Sequence, residues 1–520
     1  MSFWLRFLAA VACGGAAAVA LAPLYLWPLM IAGYGGLFWL IGSTRNWRRA
    51  FILGWAFGVG YFLVGLHWVG HAFMVDAARF AWMMPIALAA LAAGLGLFPA
   101  LAAGLARGLS RPGLSRFFAF ALFWGGSEWL RGTLLTGFPW LLSGHVWAAS
   151  DSSLQAAAYM GASGLGLLAV LAATAPALFF SDGRISKKAA VITNIATFAV
   201  LGLVLSLSHM RLQAAVVSNH PDVRLRLVQA GIPQSDKWRP ELRDRHLALY
   251  LKLSLGPDAN GQPAAFSHLI WPETATPFFL QSDQHRRSLI VRSLPPGTML
   301  ITGTPRRGVF GTGAVTLHNS IVAVAADGTV REVYDKAHLV PFGEYLPLRA
   351  GLSRLGLDKL AHGAVDFSPG PGAVVATLLN LPPFRPLICY EIIFPREITA
   401  ADTKPEPEWL LNMTNDAWFG NSFGPRQHLD IARIRAVEQG LAVVRAANTG
   451  ISAIIDPFGR ITKQLPLAAS GVIDSALPMA LAKTPFKRFG DGIFALFCLL
   501  LGCMTIIAYY GSVKPSGFRR

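Results

Sequence analysis

Three side chains that could attack and stabilise a carbonyl group stand at the ends of short runs in the second half of this chain. Cys389, Glu273 and Lys336 each follow an apolar or alternating run that is typical of a β-strand. A thiol becomes a nucleophile when a base takes its proton, and a nearby cation can stabilise the oxyanion that forms. The three residues would supply the nucleophile, the base and the cation in that scheme.

Each of these residues alone is also consistent with an ordinary structural role. A single cysteine is commonly a buried core residue, and a Glu or Lys at the end of a strand is usually solvated. Cys389 is nevertheless set apart, because Cys13, Cys498 and Cys503 all lie within long apolar segments. The four cysteines lack the spacing of a disulfide framework or a zinc site, so we expect no metal and no cofactor.

The stretch 221–480 has the composition of one α/β domain. Asp327-Gly328 between two short runs predicts a hairpin turn. The runs predicted as strands are 223–227, 269–271, 299–301, 319–325, 329–334, 386–388 and 409–411. Helical stretches at 241–254 and 426–439 fall between them, so this part should fold around a sizeable core.

The rest of the chain is too apolar for an ordinary soluble protein. Hydrophobic residues make up 53% of the sequence and charged residues 14%, with a mean hydropathy of +0.46. Runs of about 20 apolar residues match the thickness of a bilayer core. We predict a domain of seven spans within residues 1–208 and a C-terminal helix at 489–510. The eight predicted spans are 4–22, 25–41, 51–69, 82–106, 117–129, 158–180, 190–208 and 489–510.

Basic residues predict the orientation of these spans. If the spans alternate, thirteen Lys and Arg of the short loops lie on one side, and only Arg79 and Arg131 lie on the other. The positive-inside rule then places both termini in the cytoplasm and the α/β domain outside. Because these residues punctuate apolar runs, the net charge of +17 does not indicate a nucleic-acid partner.

Taken together, the motifs around the three residues resemble the nitrilase superfamily, whose members carry a Glu, a Lys and a Cys in that chain order. The fuller resemblance is to the membrane-embedded apolipoprotein N-acyltransferases, and it covers nearly the whole chain. The matching motifs are GFPW (137–140), QAGIPQ (229–234) with Lys237-Trp238, WPETA (271–275), KAHLVPFGEYLP (336–347), CYE (389–391), NMTNDAWFG (412–420) and RAANTG (445–450). His145 stands where this family is expected to have a Tyr, so no role is transferred to it.

The resemblance implies an αββα sandwich joined to a multi-pass helical membrane domain. It also implies that Glu273 takes the proton of Cys389, and that Lys336 stabilises the oxyanion together with the backbone N–H that follows Cys389. The residues that it places in support of these groups or against the substrate are Glu344, Tyr390, Glu391 and Trp238.

The implied reaction moves a fatty acyl chain from a phospholipid, typically phosphatidylethanolamine, to a lipoprotein. The chain would pass through a Cys thioester to the N-terminal amine of a diacylglyceryl apolipoprotein. We therefore expect a monomeric enzyme of the bacterial inner membrane with its catalytic domain in the periplasm. The stretch 346–367 separates the Lys and Cys motifs and mixes Leu, Gly and Arg, which predicts a mobile lid.

Two other functions remain open from the sequence. A membrane-anchored amidase would use the same three residues with water as the acceptor, although one span would be enough to anchor it. A transporter with an accessory outer domain would need ionisable residues inside its spans, and Glu128 is the clearest candidate. Seven spans before the α/β domain favour a lipid substrate over the amidase, and the position of Glu128 near the end of its span argues against the transporter.

Overall fold

The computed structural model describes residues 2–180, 185–258, 261–309, 315–349, 366–398 and 404–511. The chain divides into two compact units. One unit is formed by Met1–Gly70, Trp82–Ala215 and Lys483–Arg520, and the other by His71–Ala81 and Val216–Ala482. The stretch His71–Ala81 therefore groups with the α/β part of the chain, which its hydropathy did not indicate.

The described residues of the second unit form twelve strands in two six-stranded sheets. In chain order, β1 to β12 are Asn219–Gln229, His268–Trp271, Met299–Val309, Val315–Val324, Val330–Asp335, Ala376–Leu378, Leu381–Ile388, Trp409–Thr414, Ala442–Ala447, Ala453–Ile455, Ile461–Gln464 and Gly471–Pro478. One sheet has the order β12-β1-β2-β3-β4-β5 and the other β11-β10-β9-β8-β7-β6. Strands β1 to β3 are parallel in the first sheet, and β7 to β9 are parallel in the second. Within each sheet the carboxyl ends of these strands therefore lie at the same edge.

The predicted strands all fall on strands of this unit, and Asp327-Gly328 turns between β4 and β5. The lengths of these strands were predicted less well from the sequence. Strands β3 and β4 pair over ten residues, from Leu300 opposite Val324 to Val309 opposite Val315. The prediction stopped short because the second half of β3 contains Pro305 and two arginines, which interrupt the apolar pattern.

Apolar side chains fill the space between the two sheets. Ile270 and Ile301 of the first sheet and Leu411 and Val444 of the second are fully buried in this core. A second core covers the outer face of the first sheet, where helix Arg243–Leu255 packs. Helix Phe423–Gln439 packs against the other sheet. The order helix–sheet–sheet–helix confirms the expected αββα architecture.

The first unit is helical, and each predicted span falls on one of its helices except 82–106, which falls on two consecutive helices. Its principal helices are Phe3–Val19, Ile31–Gly42, Trp47–Gly65, Met84–Leu95, Leu97–Gly108, Leu114–Arg131, Ala157–Thr174, Lys187–Gln213 and Asp491–Gly511. Within the described residues, four helical stretches are long and apolar enough to cross a membrane, or five if a bent pair counts as one span. These helices agree with a membrane-embedded protein, and the number eight remains a prediction.

Two helices of this unit approach closely because glycines face a neighbouring backbone. A Cβ atom on Gly14 would lie 2.0 Å from the Phe57 carbonyl oxygen, and one on Gly60 would lie 2.1 Å from the Val11 oxygen. Neither position can hold a side chain in this packing. Small residues at such contacts are typical of helices that associate within a bilayer.

Helix Leu114–Arg131 carries Glu128, the residue that favoured a transporter. Its carboxylate accepts hydrogen bonds of 2.8 Å from both the backbone N–H and the hydroxyl of Ser143. A buried carboxylate with two such partners ties its helix to the following segment. Glu128 therefore has a structural explanation, which removes the main argument for the transporter.

Candidate active site

Cys389 lies at the point where strand β7 ends and a short helical turn begins. Strand β7 ends at Ile388, and the turn spans Cys389–Ile393. The backbone φ of Cys389 is +51°, in the left-handed region that residues other than glycine rarely occupy. Such strain persists only where surrounding contacts hold it, and it is concentrated at functional sites.

Glu273 lies on a similar turn just beyond strand β2. The next residue, Thr274, also has a left-handed φ, of +50°. Strand β3 passes directly beneath this turn, and a Cβ atom on Gly303 would lie 2.6 Å from the Glu273 Cα atom. This close approach helps to keep Glu273 buried, with 7% of its surface exposed.

Lys336 follows strand β5 and is held by a carboxylate of the next loop. Its ammonium lies 2.8 Å from Glu344 Oε2. The Asn319 amide donates to Glu273 Oε1 at 2.8 Å and to Glu344 Oε1 at 3.0 Å. One side chain of β4 thus joins the carboxylate after β2 to the Lys336–Glu344 pair. Most of the predicted lid that follows this loop, residues 350–365, lies outside the described residues.

Electrostatic interactions couple the three central side chains. Burial raises the pKa of the Cys389 thiol to about 12, and the Glu273 charge adds to this while Lys336 opposes it. Burial also raises the pKa of Glu273, against the charge of Lys336. For Lys336 burial acts to lower the pKa, but the charges of Glu344 and Glu273 outweigh burial and raise it. The resting site therefore holds a protonated thiol, a charged lysine and a carboxylate with increased proton affinity.

Glu391 joins the Cys389 turn to the Lys336 loop. Its Oε2 accepts a 2.6 Å hydrogen bond from the Ile388 backbone N–H. Its Oε1 accepts from the Tyr334 hydroxyl at 2.7 Å and from the backbone N–H groups of Ala337 and His338. These contacts fix the relative positions of the nucleophile turn and the lysine loop.

Tyr390 and Trp238 are placed differently. Tyr390 is buried and its ring meets the rings of Phe394 and His338 edge-on, with centroids 4.9 and 5.6 Å away. Trp238 is half-buried at the end of the short helix Gln234–Lys237. Among the described residues its indole makes no hydrogen bond or ring contact, so the structure does not join Trp238 to the other site residues.

Lys237 is a second buried lysine, and the sequence analysis assigned it no role although it lies in one of the matching motifs. It is 3% exposed, and its ammonium donates to the Glu273 carbonyl oxygen at 2.9 Å. Burial lowers its pKa to about 8, while the charges of Glu273 and Cys389 oppose this. In the sequence Lys237 belongs to a short polar turn, which gives no periodic signal of burial. Asn319 had a clearer sequence signal, because it is a polar residue at the start of a run predicted as a strand.

The arrangement can perform nucleophilic chemistry at a carbonyl. It combines a thiol, a carboxylate that can take its proton and an ammonium that can face an oxyanion, all within a largely desolvated site. In the described part of the chain, no group of three His, Cys, Asp or Glu side chains is arranged to hold a metal ion.

Two family models match this chain. Residues 13–175 match the apolipoprotein N-acyltransferase N-terminal domain, and residues 225–484 match the carbon-nitrogen hydrolase domain. An apolipoprotein N-acyltransferase from Rhodopseudomonas palustris is 40% identical over 97% of this chain and 95% of its own. One from Caulobacter vibrioides is 39% identical over 98% of this chain and 95% of its own.

A solved amidase of the nitrilase superfamily, from Nesterenkonia AN1, is also similar. It is 17% identical, and the match covers 54% of this chain and 99% of the amidase with a TM-score of 0.36. The family assignment rests on the full-length relatives and on the two domain matches. The chain belongs to the apolipoprotein N-acyltransferase family, the membrane-embedded acyltransferases of the carbon-nitrogen hydrolase superfamily.

Proposed function

We propose that the chain transfers a fatty acyl group from a phospholipid to a diacylglyceryl apolipoprotein through a thioester on Cys389. The observation that carries this proposal is the coupling of Cys389, Glu273 and Lys336 within one buried site. The names of the full-length relatives support the lipoprotein acceptor. The phospholipid donor is supported by the apolar helical unit, because a lipid ester is the acyl source that a membrane enzyme meets at high concentration.

In the first half-reaction Glu273 takes the proton of the Cys389 thiol as sulfur attacks the ester carbonyl carbon. The resulting oxyanion is stabilised by the Lys336 ammonium and by the backbone N–H of Tyr390. When the carbon–oxygen bond to glycerol breaks, the leaving oxygen receives the proton from Glu273. Lysophospholipid leaves, and the acyl chain stays on sulfur as a thioester.

In the second half-reaction the neutral α-amine of the lipoprotein attacks the thioester carbon. Glu273 accepts the proton that the amine loses, and the sulfur leaves as the carbon–sulfur bond breaks. The thiolate then takes this proton from Glu273, so the amide product forms and the resting site is restored. The reaction runs downhill from thioester to amide, so it consumes no further energy source.

Burial suits this scheme because the thioester must be protected from water. Cys389 is 8% exposed and Glu273 is 7% exposed. A site open to solvent would transfer the acyl chain to water and act as a phospholipase. The amidase alternative uses the same residues with water as acceptor, and it requires only one span as a membrane anchor.

The orientation is part of this proposal. The bias of thirteen basic residues to two supports cytoplasmic termini and a periplasmic catalytic unit in the inner membrane. Diacylglyceryl lipoproteins would then meet Cys389 on the outer face. Glu344 and Glu391 would hold the Lys336 loop, while Tyr390 and Trp238 would contact substrate.

The test is to incubate the purified enzyme in detergent micelles with phosphatidylethanolamine alone and measure its intact mass. The wild type should gain one acyl chain that hydroxylamine removes. Cys389→Ser should gain none, because a serine hydroxyl is hardly ionised near neutral pH. Cys503→Ser, which alters an exposed cysteine of the helical unit, is the matched control and should behave as wild type. An acyl adduct on Cys389→Ser would overturn the assignment of the nucleophile.

A further inference from the structure

The carbonyl oxygen of Cys389 accepts hydrogen bonds from two buried side chains. Asn412 Nδ2 lies 3.3 Å from this oxygen, and His428 Nε2 lies 3.2 Å from it. Asn412 is on β8, His428 is on helix Phe423–Gln439, and both have 0% exposure. Because a carbonyl carries no hydrogen, the His428 ring must carry one on Nε2 to make this bond.

Two further buried side chains close a ring behind these donors. Arg445 donates to Asn412 Oδ1 and, at 2.6 Å, to Asp416 Oδ2. His428 Nδ1 lies 3.0 Å from Asp416 Oδ1 and 3.1 Å from Arg445 Nη2. A guanidinium group only donates, so it requires the oxygen of the Asn412 amide to face it. The NH2 group of that amide is therefore turned toward Cys389.

The charges of Asp416 and Arg445 stabilise each other. Burial acts to raise the pKa of Asp416, but the Arg445 charge and the hydrogen bond from the Thr414 hydroxyl outweigh burial and lower it, so Asp416 stays ionised beside Arg445. Burial and the Arg445 charge lower the pKa of His428, which favours a neutral imidazole. A neutral ring with its hydrogen on Nε2 can accept from Arg445 at Nδ1 while it donates to Cys389.

The orientation of one peptide unit follows from these contacts. The Cys389–Tyr390 peptide bond is trans, so its C=O and N–H groups point in opposite directions. Holding the oxygen of Cys389 therefore also sets the direction of the Tyr390 N–H. Donation to the carbonyl oxygen polarises the peptide and strengthens its N–H as a donor. This N–H is the backbone group assigned above to the oxyanion.

We propose that Asn412, Asp416, His428 and Arg445 form a positioning ring that aims and polarises the Tyr390 N–H for the oxyanion. The inference rests on the proposed function, because it requires attack by Cys389 on a carbonyl carbon. The left-handed backbone at Cys389 gives the ring a further role, since this strained peptide needs contacts that hold it. The four side chains act through the peptide and are positioning residues.

The test compares a reaction that forms an oxyanion with one that does not. Acylation of Cys389 by phosphatidylethanolamine or by a soluble 4-nitrophenyl ester passes through an oxyanion. So does binding of a long-chain aldehyde, in which the thiol adds across the C=O bond to give a hemithioacetal. Alkylation by iodoacetamide displaces iodide from a saturated carbon, so it depends on the thiol and its ionisation but forms no oxyanion. Removing one oxyanion donor typically lowers kcat by about 10²–10³-fold.

We expect His428→Leu to slow acylation by about 10- to 100-fold, because the Tyr390 N–H would be misoriented toward the oxyanion and not removed. Aldehyde affinity should fall by a similar factor, and the alkylation rate should stay within about twofold of wild type. His428→Gln, which keeps an N–H donor, should recover most of the loss. His246→Gln, a buried histidine on the helix Arg243–Leu255, is the control and should leave all three measurements unchanged.

Asn412→Asp provides a second variant if His428→Leu fails to fold, as judged by its melting temperature. Aspartate keeps an oxygen for Arg445 and removes the N–H donor to Cys389, so it should show the same selective loss. A parallel fall in acylation and alkylation would overturn the proposal, and so would unchanged acylation in both variants. If the wild type reacts with the soluble ester but not with phospholipid, the assignment of phospholipid as the acyl donor fails. The comparison of variants with the soluble ester still tests the positioning ring.

Discussion

The Lys336 ammonium lies 2.8 Å from the Glu344 carboxylate, and the lysine is 1% exposed. The pair is also tied to Glu273 through the Asn319 amide. A buried charge pair of this kind affects stability most when one partner is removed, because the other charge is then left buried and unpaired. Removing the lysine would leave the Glu273 and Glu344 carboxylates near each other without the cation that contacts Glu344.

Lys336→Met should therefore lose both activity and stability. Loss of one oxyanion donor predicts a fall in acylation worth about 2.7–4 kcal/mol, and breaking the buried pair predicts destabilisation of about 3–5 kcal/mol. The double variant Lys336→Met/Glu344→Gln should recover much of the stability and none of the activity. Denaturant unfolding and single-turnover acylation measure the two effects, and near-normal acylation by Lys336→Met would exclude the lysine from the mechanism.

Glu273→Gln should abolish acylation because an amide cannot accept the thiol proton. The amide oxygen can still accept from Asn319, so we expect the fold to be kept. In the wild type the acylation rate should rise with pH as Glu273 loses its proton, with a midpoint above the ordinary glutamate value because burial raises its pKa. Any residual acylation by Glu273→Gln should lack this rise. Glu241→Gln, an exposed carboxylate, is the control, and equal acylation by both variants would contradict the assigned role.

Lys237 predicts a second feature of the pH profile. Its pKa of about 8 means that its positive charge is present below this pH and is lost as the pH rises through it. Since this charge favours the ionised forms of Glu273 and Cys389, acylation should decline by up to about tenfold above pH 8. Lys237→Arg should remove the decline because guanidinium stays charged. Lys463→Arg at the surface should keep it, and an unchanged profile in Lys237→Arg would rule out this origin.

The orientation of the chain can be tested with a bulky, membrane-impermeant maleimide on spheroplasts. Cys389 itself is a poor reporter because it is 8% exposed, so Asp327→Cys in a Cys389→Ser background is the better probe of the catalytic unit. It should react in intact spheroplasts, whereas cysteines at Arg48 or Lys187 should react only after the membrane is opened. The opposite pattern would place the enzyme on the wrong side for its lipoprotein acceptor.

Local sequence patterns were enough to predict seven of the twelve described strands, whereas β6 and β9 to β12 were not predicted. The predicted strands and the hairpin at Asp327-Gly328 depend on apolar periodicity and turn chemistry among neighbouring residues. The apolar runs of the first half depend in the same way on hydropathy over about 20 residues. The Glu273, Lys336 and Cys389 motifs could be recognised together because each of these residues follows the end of a strand by one or two positions.

The contacts that surround these residues were decided only by the tertiary structure. Asn319 meets Glu273 from 46 residues away, and His428 meets the Cys389 carbonyl from 39 residues away. Lys237 is buried because its short helix lies against the Glu273 turn, and no local pattern required it. Burial and pairing of a polar side chain depend on which distant elements pack beside it, so they follow from the arrangement of the two sheets and their helices and not from hydropathy along the chain.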